Sequence, residues 1–466
     1  MNKLKSNCLN FTELLAQNIA LISPTMTAAL IVPLMFATIG NISWLGYALG
    51  TTLLLFVVLN LNQFAKRTTN SGSMYSYASS GLGFTGGAMC GWCLVWSYLF
   101  IGLAGTTGFT IFSGKLLDAI HIHLPPPVLF AICLGTCFMM AYKDIRISTL
   151  VMLGMEAFSC FFILLLVVIV LGHHHFALDT AQFSFKGMSL MSLGMGTVVA
   201  IFSLVGFESS TAFGEEAVNP LKTIPRSIIW SLILTGLFFI LTSYTEVLGT
   251  RGYTTTLDQI DAPLNVLAQM NHVNYLWPLL SAGAMFSFFA LASSCMNAGA
   301  RVMYAMGRHD FFHKSTSAAH ETHGTPHIAL SVMAIIMFSV VTVCYFVLTH
   351  FGMAVLDEFN DAGTMGAMGF TGAYILITLA APGFLKKRGE LKAKHIALSA
   401  VTLVLMLIPA IGLVYPVPAA PVNYFPYVFL AYLWFGLLRV MAMQHQKPER
   451  LVEIRDEVKK MHTATA

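Results

Sequence analysis

Between Leu14 and Gly40 the chain carries no Asp, Glu, Lys or Arg, and runs of this kind recur almost to its C-terminus. A helix needs about 20 mostly apolar residues to cross the hydrocarbon core of a bilayer. Backbone in lipid must also satisfy its hydrogen bonds internally. Long continuous runs therefore specify helices, whereas a membrane β-barrel would show alternation over ~10-residue segments. Composition agrees. Of 466 residues, 56% are hydrophobic and 10% charged, against about 25% charged in a soluble domain. The mean hydropathy is +0.74.

Splitting the runs at Pro, Gly and His clusters predicts twelve transmembrane helices, near 18–40, 44–64, 84–113, 126–142, 147–171, 189–213, 226–248, 275–306, 327–348, 361–381, 394–415 and 423–440. The fold class expected is an all-α membrane protein. Its eight cysteines sit mostly inside apolar runs and form no disulfide framework. The first run is too long for the core of a cleavable signal and lacks a small-residue cleavage pattern after it, so it reads as the first span. With twelve spans, 22 of the 25 Lys and Arg residues fall on the side holding both termini. Lys115, Lys186 and Arg251 are the three on the other side. The positive-inside rule then places both termini in the cytoplasm, of a cell whose cytoplasmic membrane is the expected location.

Two spans are interrupted in the two halves of the chain. The first holds Ile22-Ser23-Pro24-Thr25-Met26-Thr27 at its middle, where proline removes a donor and clashes with the preceding turn. The sixth holds Phe202-Ser203-Leu204-Val205-Gly206-Phe207-Glu208. Broken helices at corresponding places in two repeats point to a transport site at the bilayer midplane. Unwound backbone offers N–H groups to an anion and carbonyls to a cation. A zwitterion such as an amino acid uses both.

Gly206-Phe207-Glu208-Ser209-Ser210, running into Gly214-Glu215-Glu216-Ala217, Asn219-Pro220 and Thr223-Ile224-Pro225-Arg226, resembles the sixth-helix signature of the amino acid–polyamine–organocation (APC) superfamily permeases. Ser71-Gly72-Ser73-Met74-Tyr75-Ser76-Tyr77, Arg301-Val302-Met303-Tyr304-Ala305-Met306-Gly307-Arg308 and Thr325-Pro326-His327 match as well. The resemblance covers roughly residues 14 to 390. It implies an inverted-repeat (5+5) core with discontinuous helices 1 and 6, and two further C-terminal helices. On that reading residues 1–17 are a cytoplasmic tail, 18–172 the first repeat, 188–381 the second, 394–440 the last two helices and 441–466 a second tail.

The resemblance also implies a substrate site at Ser23, Pro24, Thr25, Met26, Thr27 and Ala28. Backbone N–H groups of Met26-Thr27-Ala28 would take a carboxylate, and carbonyls near Pro24 the amine. The family's triplet there is Gly-Ser-Gly, so Met26 and Ala28 stand where it has glycine. Phe202 falls at the position of an aromatic that closes over substrate, with Ile201, Val205, Phe207 and Tyr98 as further walls.

Carboxylates in mid-span cost about 2.5–3.5 kcal/mol on insertion scales, which marks them as functional candidates. Glu208 and Glu156 are the two the sequence singles out, as coupling or gating residues. Some proton-coupled members of the family carry a fifth-helix lysine in place of sodium; here no lysine occurs between Lys143 and Lys186. Ser293 and Ser294 in the eighth helix are a possible ion site.

Cys90-Gly91-Trp92-Cys93 has redox spacing but lies in an apolar helix rather than a soluble βαβ unit. His173-His174-His175 and the scatter His309, His313, His320, His323 and His327 lack regular ligand spacing. No Walker motif is present to drive transport with ATP. The expectation is a secondary amino acid transporter, not an enzyme, without cofactor or metal and without a nucleic-acid partner. It would use a proton, less so sodium, or exchange a second amino acid. Its rivals are a polyamine carrier and a membrane amino acid sensor.

Overall fold

The structure is a computed structural model describing residues 4–68, 72–185, 189–260 and 262–446. Ser71 of the serine-glycine motif, Lys3 and Lys186 of the charge count, and the tail beyond Gln446 lie outside these residues. The helices are, in order, α1 (Phe11–Ile22), α2 (Pro24–Met26), α3 (Val32–Ile39), α4 (Ser43–Ala65), α5 (Ser73–Asp118), α6 (Pro126–Lys143), α7 (Ile145–His173), α8 (Leu190–Leu204), α9 (Pro220–Gly249), α10 (Pro263–Met270), α11 (Trp277–Arg308), α12 (His327–His350), α13 (Val355–Lys387), α14 (Ala393–Gly412) and α15 (Phe425–Gln446).

By length and composition, eleven described stretches are able to cross a membrane. The first, Phe11–Ala65, has 55 residues, roughly 80 Å as a straight helix. That far exceeds a ~30 Å hydrocarbon core, so the chain must turn within it. It turns at Gly40, whose φ of 64° opens a 3-10 turn, Gly40–Ile42, leading into α4.

Several boundaries differ from the sequence reading: the first helix begins at Phe11 rather than 18, inside the expected tail, the seventh at Pro220 rather than 226, and the last runs to Gln446 rather than 440. The third helix begins at Ser73 rather than 84, and Gly83 (φ 82°, ψ −175°) breaks it where the reading placed its start. The serines of this extra segment fold into helix because Ser79 and Ser80 return their hydroxyls to the carbonyls of Tyr75 and Tyr77. Tyr77 stacks on Phe64 with ring centroids 5.5 Å apart, which buries the segment. The tenth predicted helix extends at both ends into α13. Asp357 and Glu358 lie in its first turn and Lys386 and Lys387 in its last, the charge placement a helix dipole favours.

At the core α5 packs along both α11 and α13, and α11 in turn borders α1, which also packs on α7 and α9. Close approach comes from small residues, as is usual between membrane helices. A Cβ on Gly81 would meet the Ala380 carbonyl at 2.2 Å, and one on Gly105 the Ala292 nitrogen at 2.8 Å. Exposed large apolar side chains gather on the peripheral helices, among them Phe161, Ile335, Phe346, Val404 and Trp434. This is the surface lipid would cover.

The N-terminal segment forms a strap across one end of the bundle. Cys8 and Leu9 donate their N–H groups to the Glu216 carbonyl at 2.8 and 3.1 Å, Val218 donates to the Leu9 carbonyl at 2.8 Å, and Lys5 N–H reaches Gly324 at 3.2 Å. Lys5 Nζ also pairs with Asp144 at 2.9 Å. Burial pulls the Asp144 carboxyl up, but the bonds from Lys5 and the Arg146 N–H outweigh it and hold it below its ordinary value. The hydrogen bond and charge of Asp144 raise Lys5. Stability from the pair is therefore present at neutral pH. It is lost as pH falls through the depressed Asp144 pKa, and again as pH rises through the raised Lys5 pKa. Lys5 is half exposed, so the pair is worth under about 1 kcal/mol. Asp144→Asn should lower the melting temperature by a degree or two at neutral pH and by nothing in strong acid.

Candidate functional site

Both predicted interruptions are present, and they touch. In the first, α1 ends at Ile22 and Ser23 takes the left-handed conformation (φ 53°, ψ 76°). Pro24 has no N–H to give the Ala20 carbonyl, so one α1 acceptor loses its ladder partner. Helix resumes at Pro24 and widens into a π turn over Thr27–Ile31 before α3. In the second, α8 ends at Leu204, Val205 is extended (φ −60°, ψ 149°), and Gly206 has φ 100°. The chain continues as a 3-10 turn, Ser209–Phe213. A Cβ on Gly206 would stand 1.9 Å from Leu21 Cδ2, so one break packs directly against the other.

Side chains tie the two together. Asn18 Oδ1 accepts from Ser210 N–H at 2.7 Å and from Ser209 Oγ at 3.1 Å, satisfying donors that the sixth-helix break leaves free. The Gln17 carbonyl accepts from Ser209 Oγ at 3.2 Å. From the other side Tyr374 of α13 reaches in. Its hydroxyl donates to Glu208 Oε2 at 2.7 Å and lies 3.4 Å from Gly206 N–H, which it accepts. Phe207 stacks on the same tyrosine with centroids 5.2 Å apart.

Each residue predicted for the substrate site is buried: Ser23, Pro24, Thr25, Met26, Thr27, Ala28, Tyr98, Ile201, Phe202, Val205 and Phe207. Tyr98 interacts electrostatically with Glu208 and packs edge-on against Phe370. Phe202 lies against Phe359 and covers Gly363, where a Cβ would meet its Cζ at 2.0 Å. An aromatic belt thus surrounds the breaks.

Glu156 lies at the first break. Its Oε1 accepts from Ser287 Oγ at 2.7 Å, and Ser287 is 2.9 Å from Ser23 Oγ. One turn along α7, Ser159 hydrogen-bonds Thr25. Both predicted carboxylates therefore border the breaks, from opposite sides of the bundle. The serine pair does not join them. Ser294 is committed to Gln17, donating to its carbonyl at 2.9 Å and accepting from Nε2 at 2.6 Å. Ser293 faces Ser148 at 3.4 Å.

Six buried polar atoms around the breaks have no hydrogen-bond partner among the described residues: Glu208 Oε1, Glu156 Oε2, the Tyr98 hydroxyl, Thr27 Oγ1, Gln17 Oε1 and Asn18 Nδ2. Buried polar groups are nearly always satisfied. Such atoms, with freed backbone at two helix ends, are what a small polar guest would satisfy. Half-helix N-termini favour its anionic group, and carbonyl ends and carboxylates its cationic one.

Sequence reasoning missed Tyr374, Ser287, Asn18 and Gln17. Asn18 and Gln17 did carry a signal, as two amides inside an apolar run. Ser287 and Tyr374 carried none, because only the fold brings α11 and α13 to the breaks. The reading also admitted only two mid-span carboxylates. Glu246, in the last turn of α9, is a further buried carboxylate, 1% exposed. Cys90 and Cys93 are buried free thiols on α5.

Two half-unwound helices pressed together inside an apolar bundle, flanked by carboxylates, define a secondary membrane transporter. The chain belongs to the amino acid permease family, whose model matches residues 14–453. It is 24% identical over 355 residues to the branched-chain amino acid permease BcaP of Bacillus subtilis (strain 168), covering 72% of each chain. It is 26% identical over 311 residues to the low-affinity putrescine importer PlaP of Escherichia coli (strain K12), covering 60% of this chain and 64% of that one. Among solved structures, a manganese transporter of Eremococcus coleocola superposes with TM-score 0.57 at 11% identity, covering 98% of both chains. A sodium-coupled sialic acid symporter gives 0.54 at 12%, covering 92% of this chain and 89% of that one. At such identities the structural likeness speaks for the fold alone.

Proposed function

We propose that this permease moves amino acids across the cytoplasmic membrane by alternating access, coupled to a proton or to exchange of a second amino acid. The observation that carries this is the contact of the two breaks, Gly206 on Leu21, with Glu208 beside it held by Tyr374. In this reading the chain crosses twelve times with both termini inside. Helices one to five and six to ten form the two inverted repeats. The N–H groups of Met26, Thr27 and Ala28 receive the carboxylate, those of Met26 and Thr27 giving up the Ser23 and Pro24 carbonyls they hold in this conformation, and the Ala20 carbonyl with nearby oxygens receives the amine. Tyr98, Ile201, Phe202, Val205 and Phe207 wall in the side chain, and these apolar walls favour an apolar one. That agrees with the similarity to branched-chain permeases.

Glu208 is the proton carrier in this scheme. It is fully buried with one hydrogen bond for two oxygens, and unpaired charge in such a place costs several kcal/mol. A proton removes that cost, and its loss on exposure to either side would favour rearrangement of the break. The test is uptake of radiolabelled leucine, arginine and putrescine into proteoliposomes, with and without pH and sodium gradients. Failure to take up or exchange any amino acid or amine would sink the reading. Preference for putrescine over every amino acid would instead favour the polyamine reading that the PlaP relative keeps open.

Two variants sharpen it. Glu208→Gln should abolish gradient-driven accumulation while the protein still elutes as a folded species. Tyr374→Phe should slow uptake about tenfold or more, since hydrogen bonds to charged groups are worth about 1.5–3 kcal/mol. It should also move the pH profile, which a purely structural role would leave in place.

A further inference from the structure

The transport scheme leaves two buried carboxylates unused, Glu358 in the first turn of α13 and Glu246, the more deeply buried of the two. Glu246 lies in the last turn of α9, the end remote from the strap, and is 1% exposed. Neither of its oxygens has a hydrogen-bond partner among the described residues. Its surroundings are polar but incomplete. Tyr47 of α4 is fully buried, interacts with Glu246 and approaches Ser203 of α8, and its hydroxyl also lacks a geometric hydrogen-bond partner. Tyr47 is fixed by Phe239, one face of α9 below Glu246, with ring centroids 5.5 Å apart. Three helices thus bring a carboxylate, a phenol and a serine hydroxyl together, two residues before the sixth-helix break at Val205.

A buried carboxylate with no cation and no donor is among the most costly arrangements a membrane interior holds, and such groups mark ion or proton paths. Among the described residues Tyr47 is the titratable group that faces it. Among the described residues no Lys, Arg or His pairs with either Glu246 oxygen. The nearest ion pair along the helix, Arg251 with Asp179 at 2.6 Å, is satisfied within itself. The short helix α10 closes this end of the bundle: a Cβ on Gly249, three residues beyond Glu246, would meet Leu267 of α10 at 2.5 Å. At 1% exposure, Glu246 meets water only when the packing at this end of α9 opens.

We propose that Glu246, with Tyr47 and Ser203, forms a second proton-binding site. It lies in the half of the membrane remote from the strap and makes solute accumulation depend on the pH of that side. The inference rests on the transport reading but uses none of its substrate-site residues. Protonated, Glu246 donates to an acceptor in the pocket and leaves α8 and α9 packed. Once α10 lifts, the carboxyl loses its proton to the outer medium, and the anion is unstable in the closed pocket until a proton returns.

The test is leucine accumulation driven by a pH gradient in proteoliposomes, divided by leucine counterflow in the same vesicles. External pH is varied from about 5.5 to 8.5, a range that spans a carboxyl shifted by burial. For Glu246→Gln the ratio should fall at least fivefold and become flat with pH. For Tyr47→Phe, which keeps the carboxyl, the midpoint of the profile should move. Wild-type profiles in both variants would overturn the proposal. If Glu246→Gln fails to fold, the Tyr47→Phe midpoint decides alone. Absence of counterflow in the wild type would count against the amino acid reading instead, so the two failures are distinguishable.

Discussion

Substituting alanine for Gly206 is expected to abolish measurable uptake and to destabilise the protein by about 2–5 kcal/mol. Two costs add. An L-residue forced to positive φ loses roughly 1–2 kcal/mol, and overpacking a filled core about 1–3 kcal/mol. Here φ is 100° and the new methyl would overlap Leu21 Cδ2. The two are separable. Gly352 also has positive φ, 75°, but nothing within 4 Å of its missing Cβ, so Gly352→Ala should show the conformational cost alone. Adding Leu21→Ala to Gly206→Ala should recover stability by making room, without restoring transport, because the break itself would still be strained. Thermal unfolding in detergent and leucine counterflow read the two effects. Full transport by Gly206→Ala would mean that the sixth-helix break is incidental.

Arg301→Ala should cost about 3–5 kcal/mol, the typical result of removing one partner from a buried ion pair. Arg301 is 1% exposed, donates twice to Glu216 at 2.5 and 2.7 Å, gives a third bond to the Asn297 carbonyl and lies over the Phe213 ring. Its loss strands the Glu216 carboxylate, whose own backbone carbonyl anchors the strap. Truncating both partners, Arg301→Met with Glu216→Leu, should recover most of the stability, since apolar replacement of a buried pair is often neutral. Transport should stay impaired, because the pair ties the sixth-helix loop to α11. Melting temperatures of the single and double variants test this; additive losses would show the pair is not coupled.

The sequence announced the helices clearly because lipid tolerates few alternatives, and Pro24 and Gly206 announced the breaks because each defeats a helix by its own chemistry. Glu156 and Glu208 stood out as charges among apolar residues. What stayed hidden depended on three-dimensional juxtaposition. Tyr374 is one tyrosine among 15, and only the packing of α13 carries it to Glu208. Ser73–Leu82 looked like loop because its serines are polar, yet their hydroxyls fold back onto their own backbone. Glu246 escaped notice because it lies close to a helix end, where a carboxylate normally reaches water; the cover of α10 is invisible in the local sequence. Ser293 and Ser294 carried a pattern that the fold uses for helix packing.

The strap has a consequence for how the protein is made. Residues 5 to 9 are synthesised first, yet their partners are Glu216, Val218 and Gly324. At about 5–20 residues per second, more than ten seconds must pass before the backbone partners at Glu216 and Val218 emerge. Until then only the exposed Lys5–Asp144 pair can hold the segment. The end of the bundle the strap crosses therefore stays unlatched until the sixth-helix loop has been made.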